Sequence, residues 1–83
     1  MDTLRLLIRE KVLDGRLPVE PMPRVWGGPG NGETCSACDE KAEKSDLVIE
    51  GRTERNQVVF FHPKCFYVWE TQADKYREIG GTP

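Results

Sequence analysis

The chain has 83 residues, 37% of them apolar and 31% charged, and a formal net charge of −2 from 12 basic and 14 acidic side chains. That length suits one domain rather than two, and so thin an apolar fraction predicts a core that needs a staple: a metal, disulfides or self-association. The acidic balance lacks the footprint of a nucleic-acid binder, and no stretch approaches the ~20 apolar residues of a membrane helix.

The N-terminus carries charges at Asp2, Arg5 and Arg9 and no apolar run of signal-peptide length. A cytoplasmic, reducing setting is therefore expected, in which disulfides are rare. Residues 2–14 read as a helix, with Asp2 or Thr3 as cap and Gly15 at the C-terminal glycine position. Leu4, Leu7, Ile8 and Val12 form one apolar stripe at helical spacing. Leu6 and Leu13 point away from that stripe. They either fold under the following loop or offer a face to a partner, including a second copy of the chain.

Residues 16–34 read as a linker. Pro18, Pro21, Pro23 and Pro29 disfavour a helix or a central strand, and Gly27, Gly28, Gly30 and Gly32 follow. Trp26 lies in this segment; it is expected to pin the loop onto the core, with a surface recognition role as the alternative. The glycine run lacks the Lys-Ser/Thr of a phosphate loop. Its expected use is to let the backbone pass close to the turn that follows.

After a Cys-x-x-Cys turn at 35–38, residues 39–46 are charged loop. Leu47–Glu50 and Gln57–His62 are rich in Val, Ile and Phe and predict a β-hairpin. Pro63 opens a second helix as an N1 proline does. This helix is expected to run to about Glu78, with Phe66, Trp69, Ala73 and Tyr76 on one face and Gly80 and Gly81 ending it. The predicted whole is a small α+β zinc-binding domain spanning 1–83: N-terminal helix (1–15), Pro/Gly-rich linker (16–34), then a zinc finger (35–79) made of knuckle, hairpin and C-terminal helix.

The zinc reading rests on Cys35, Cys38, His62 and Cys65: Cys-x2-Cys, 23 residues, His-x2-Cys. A Cys-x-x-Cys turn aims two thiolates at one point, and the second pair falls where a strand gives way to a helix whose N-terminus favours a thiolate. The set uses every cysteine and the only histidine. One structural Zn2+ is expected, since four good ligands fill a tetrahedron and no Glu stands in a His-x-Glu or His-Glu-x-x-His context. With three thiolates and the ion, the charge becomes about −3. The rival readings are a redox dithiol at Cys35 and Cys38, a buried core cysteine at Cys65 with a strand-end histidine at His62, and an iron–sulfur site.

This ligand pattern resembles treble-clef-like fingers, in particular the first zinc half of LIM domains and the poly(ADP-ribose) polymerase-type finger; Phe66 and Trp69 also look like the latter. The likeness covers roughly residues 33–72. Ile8-Arg9-Glu10-Lys11, Gly15-Arg16-Leu17-Pro18 and Trp26-Gly27-Gly28-Pro29-Gly30 look like small bacterial single-zinc proteins. The chain departs from these families in three ways: no ligands follow Cys65, the charge is acidic, and Asp39 stands where many knuckles have Gly.

Function is expected to lie in a zinc-stabilised adaptor or regulator that binds a protein, with Leu6, Leu13, Trp26, Arg52 and Arg55 as candidate partner residues, and not in catalysis. The first alternative is a nucleic-acid-binding finger with a basic face of Arg52, Arg55, Lys64, Lys75 and Arg77. The second is a redox- or metal-responsive sensor. A homodimer through Leu6 and Leu13 is also compatible with the sequence.

Overall fold

The structure, a computed structural model, describes residues 3–78. Its elements run α1 (Thr3–Leu13), β1 (Arg24–Pro29), β2 (Leu47–Arg52), β3 (Val58–Phe61) and α2 (Pro63–Tyr76). The predicted α+β class therefore holds. Asp2, Gly80 and Gly81, named above as helix ends, lie outside the described residues.

α1 ends as its sequence predicts. Gly15 takes φ +87°, a left-handed conformation that costs a glycine little, and the Leu17 amide reaches back to the Lys11 carbonyl at 3.0 Å. That return drops Leu17 into the core, where it is 1% exposed beside Ile8 and Val12. Leu6 and Leu13 do not fold under the loop. They stay 42% and 55% exposed.

The sheet corrects the linker expectation. Residues 24–29, inside the predicted linker, form a strand that pairs antiparallel with β2, so the hairpin becomes a three-stranded sheet of order β1-β2-β3. An edge strand needs only one row of backbone hydrogen bonds, so Gly27, Gly28 and a terminal Pro29 can serve there. The neighbouring Ile49 and Val48 of β2 supply the strand-forming side chains opposite the two glycines. β2 also runs on to Arg52, and β3 is shorter than the predicted Gln57–His62. The tip between them is closed by Thr53, whose Oγ1 accepts from the Gln57 amide at 3.1 Å, and by Asn56 at φ +72°.

Residues paired across antiparallel strands share a face. One face carries Val59 and Phe61, both buried, and α2 packs on it. Phe61 meets Phe66 and Trp69 with ring centroids 5.8 and 5.6 Å apart. Trp69 is 3% exposed and donates its indole N–H to the Pro18 carbonyl at 2.8 Å. Arg77 donates to the Val19 carbonyl one residue on. The Pro-rich loop is therefore pinned by a tryptophan, but by Trp69 from α2. Trp26 pairs with Glu50 on the opposite sheet face and is 48% exposed, so its predicted pinning role is wrong.

Candidate metal centre

The chain beyond β1 folds back on itself on the way to the Cys-x-x-Cys turn. The Gly30 amide donates to the Asp46 carbonyl, Gly32 to Ala42, Ala42 to Glu33, and Cys35 to Glu40, all at 2.8–2.9 Å, with a bridge between Thr34 and Lys41. The approach is tight: a Cβ on Gly30 would sit 2.2 Å from the Glu43 carbonyl oxygen. The glycine run does allow a close backbone approach at Gly30, but to Ala42 and Glu43 of the loop after the turn rather than to the Cys-x-x-Cys turn itself.

The turn itself is closed by the Asp39 amide on the Cys35 carbonyl at 2.9 Å. Asp39 takes φ +68°, the left-handed conformation that glycine would adopt at lowest cost and that Asp tolerates better than most residues. Ser36 ties the turn to the outer edge of β3: its amide donates to the Phe60 carbonyl at 2.7 Å, and its Oγ accepts from the Phe60 amide at 3.1 Å. The strand that presents His62 and the turn that presents Cys35 and Cys38 are thus set against each other by backbone geometry.

His62 is the residue before α2, in extended conformation, with Pro63 opening the helix and Cys65 in its first turn. The three Sγ atoms and a His62 ring nitrogen lie within 4.8 Å of one another. His62 Nδ1 is 3.4 Å from Cys38 Sγ and 4.0 Å from Cys65 Sγ. A tetrahedral ion with sulfur bonds near 2.3 Å and nitrogen bonds near 2.0–2.1 Å has ligand–ligand edges of about 3.5–3.8 Å, and the two Nδ1–Sγ distances, 3.4 and 4.0 Å, fall on either side of that range. His62 Nε2 is 3.3 Å from the Lys41 carbonyl. Donation there places the proton on Nε2 and leaves the Nδ1 lone pair facing the thiols, the usual outer support of a metal-bound histidine. No disulfide joins the cysteines, and Cys35, Cys38, His62 and Cys65 together could hold one metal ion.

The electrostatics divide the thiols. Burial raises the Cys35 thiol, but hydrogen bonds from the backbone at Cys38, His62 and Ala37 outweigh it and bring its pKa down to about 7. Cys35 is therefore the first of the three to ionise. Burial, then the Cys35 charge and its hydrogen bond, raise Cys65 far above the ordinary thiol range, which overrides the favourable helix N-terminus there. Cys38 is raised chiefly by burial, with Cys35 adding to it. Burial opposes charge on the His62 ring, yet attraction to Cys35 prevails and its pKa rises. Three acidic groups competing for one small space is the pattern a cation relieves.

Three supports of this site went unread in the sequence. Lys11 of α1 is 3% exposed, and its ammonium donates to the Ser36 carbonyl at 3.0 Å and to Asp39 Oδ1 at 2.8 Å. It crosses from the N-terminal helix to the metal turn, and Asp39 replaces the usual glycine with a group that answers this lysine. A lysine among Leu4, Leu7, Ile8 and Val12 on the core-facing side of α1 was the available signal. Ser36 and the Lys41 carbonyl act through backbone geometry, which side-chain patterning does not register.

The candidate partner residues fall on two surfaces. Leu6 and Leu13 line a groove of about 400 Å³ between α1 and α2. Trp26 and Arg52 lie on the outer sheet face, at pairs Trp26–Glu50 and Arg24–Arg52, and Arg55 lies at the adjoining tip. The single basic face does not assemble. Arg52 pairs with Glu50, Arg55 with Glu20 and Arg77 with Asp74, while Lys64 and Lys75 sit at opposite ends of α2.

Compared with family models, with curated proteins and with solved structures, the chain finds no match. The likeness to LIM and polymerase-type fingers thus rests on the sequence pattern alone, while the cluster supports a metal site of no particular family. Among the described residues no helix is long and apolar enough to cross a membrane.

Proposed function

We propose that the chain is a structural-zinc module, working in a reducing cytoplasm as a protein-binding adaptor or regulator rather than as an enzyme. The observation that carries this reading is the donor set itself: three thiols and one imidazole within 4.8 Å of one another, with Cys35 and Cys65 1% and 4% exposed. A Cys3His set selects zinc among common ions, and four strong donors leave no coordination position for a substrate. Structural zinc of this kind supplies folding energy, so function belongs to the surfaces it holds in place. The exposed Leu6 and Leu13 favour a protein partner, and the net charge of −2 disfavours nucleic acid. The test is chelation. Purified protein should contain one zinc per chain, and EDTA should abolish its cooperative thermal transition by circular dichroism; a fully folded metal-free chain would end the proposal.

One observation favours a second reading. Trp26 and Phe60 flank Glu50 on the outer sheet face, with Arg24, Arg52 and Val58 in the next row. Aromatic and arginine side chains on an open sheet suit stacking with single-stranded nucleic acid. Filter binding across a salt series decides it, because affinity from phosphate contacts must fall steeply with salt. Lack of retention at low salt removes this reading.

A further inference from the structure

The geometry points to the groove between α1 and α2 as the docking site for an acidic, amphipathic helical segment of a partner protein, an inference that rests on the protein-binding reading above. The floor is apolar: Leu6 and Leu13, with Tyr76 facing them from α2. The two leucines are seven residues apart, about 10 Å along the helix, which is the spacing at which a docked helix presents its own anchors. The rim is cationic. Among the described residues, Arg5, Arg9 and Lys75 line the groove against one acid, Glu78, although acids outnumber bases in the chain. None of these three cations has an ion-pair partner among the described residues, a property they share with Arg24, Lys41, Lys44 and Lys64; what sets them apart is that they converge on one apolar groove.

Charge and shape choose among occupants. A second copy laid groove to groove by two-fold symmetry would bring Arg5, Arg9 and Lys75 against their own counterparts, a like-charge contact that opposes docking. A flat anionic bilayer would meet the rim but not the leucines between the helices. A helix carrying apolar residues on one stripe and carboxylates beside it satisfies both the floor and the rim.

The test uses two synthetic peptides of about 16 residues. They share one leucine pattern and differ only in carrying Glu or Lys at the polar positions. Binding to the zinc-loaded full chain is read by fluorescence anisotropy. The Glu peptide should bind at least about tenfold more tightly than the Lys peptide, and Leu6→Glu with Leu13→Glu should weaken it by about tenfold or more. Arg9→Glu with Lys75→Glu should remove the preference for the Glu peptide, with a wild-type preference that shrinks as salt rises. Both variants change exposed residues, and zinc content with circular dichroism verifies that they fold; Arg5→Ala with Arg9→Ala is the milder check. The inference is overturned by no binding of the Glu peptide up to about 1 mM, by equal binding of the two peptides, or by binding that ignores the groove variants. It is also overturned if light scattering finds a dimer that Leu6→Glu dissolves, or if phosphatidylglycerol vesicles retain the chain through these leucines. A chain that keeps its fold without zinc refutes the module reading and leaves this comparison standing; peptides that ignore the groove variants refute the groove and leave the module.

Discussion

The apolar core and the metal turn lie side by side and share Cys35 and Cys65, yet different forces hold them. The core is a continuous packing of Ile8, Val12, Leu17, Val59, Phe61, Trp69 and Ala73, and each contact there is favourable with or without an ion. The metal turn is built from groups that oppose one another: Cys38 and Cys65, whose ionisation burial and the Cys35 charge resist, and a histidine drawn to charge beside Cys35. Polar bonds from Ser36, Asp39 and Lys11 aim these groups without neutralising them. The contrast shows how a chain this short can place a thin core next to a cluster of thiols: one part carries the packing, and the other gathers four groups that could hold one metal ion.

The contrast breaks most directly at a shared residue. Cys65→Ser removes a donor and should eliminate stoichiometric zinc and with it a binding contribution of about 10–16 kcal/mol, leaving a chain without a cooperative melt. Phe61→Ala acts on the core alone. It should cost about 3–5 kcal/mol in urea titration while zinc remains at one per chain. If Phe61→Ala instead strips the metal at neutral pH, the core also sets the positions of the ligands and is not a separate support.

Smaller effects sharpen the boundary. Lys11→Met keeps an apolar stem of similar length but loses the bonds to Ser36 and Asp39; roughly 1–3 kcal/mol should go, with weaker zinc retention in competition with a chromogenic chelator. A stability loss with unchanged zinc retention would assign Lys11 to packing only. The two tryptophans separate the faces of the sheet. Trp69→Phe leaves the Pro18 carbonyl without its donor and should cost about 1–3 kcal/mol. Trp26→Ala, on the exposed face, should stay within about 0.5 kcal/mol in the same urea titration.

The metal centre and the second half of the fold were legible because their signals are local. Cys35, Cys38, His62 and Cys65 sit at ligand spacing, Val58 to Phe61 are all strand formers, and Pro63 marks a helix start. β1 was not legible. Gly27 and Gly28 carry no strand preference, and their pairing comes from Ile49 and Val48, 22 and 20 residues further along the chain. The role of Trp26 was misread for a related reason: whether an indole is buried depends on which sheet face it meets, and that face was undefined while 16–34 read as a linker. Lys11 was hidden because its partners, Ser36 and Asp39, approach only in three dimensions.

The central claim is a closed four-ligand zinc site, and zinc K-edge X-ray absorption on the purified chain measures it directly. Three sulfurs at about 2.3 Å and one nitrogen at about 2.0–2.1 Å are the predicted shell. A shell with fewer than three sulfurs, or one completed by a water oxygen, would contradict it.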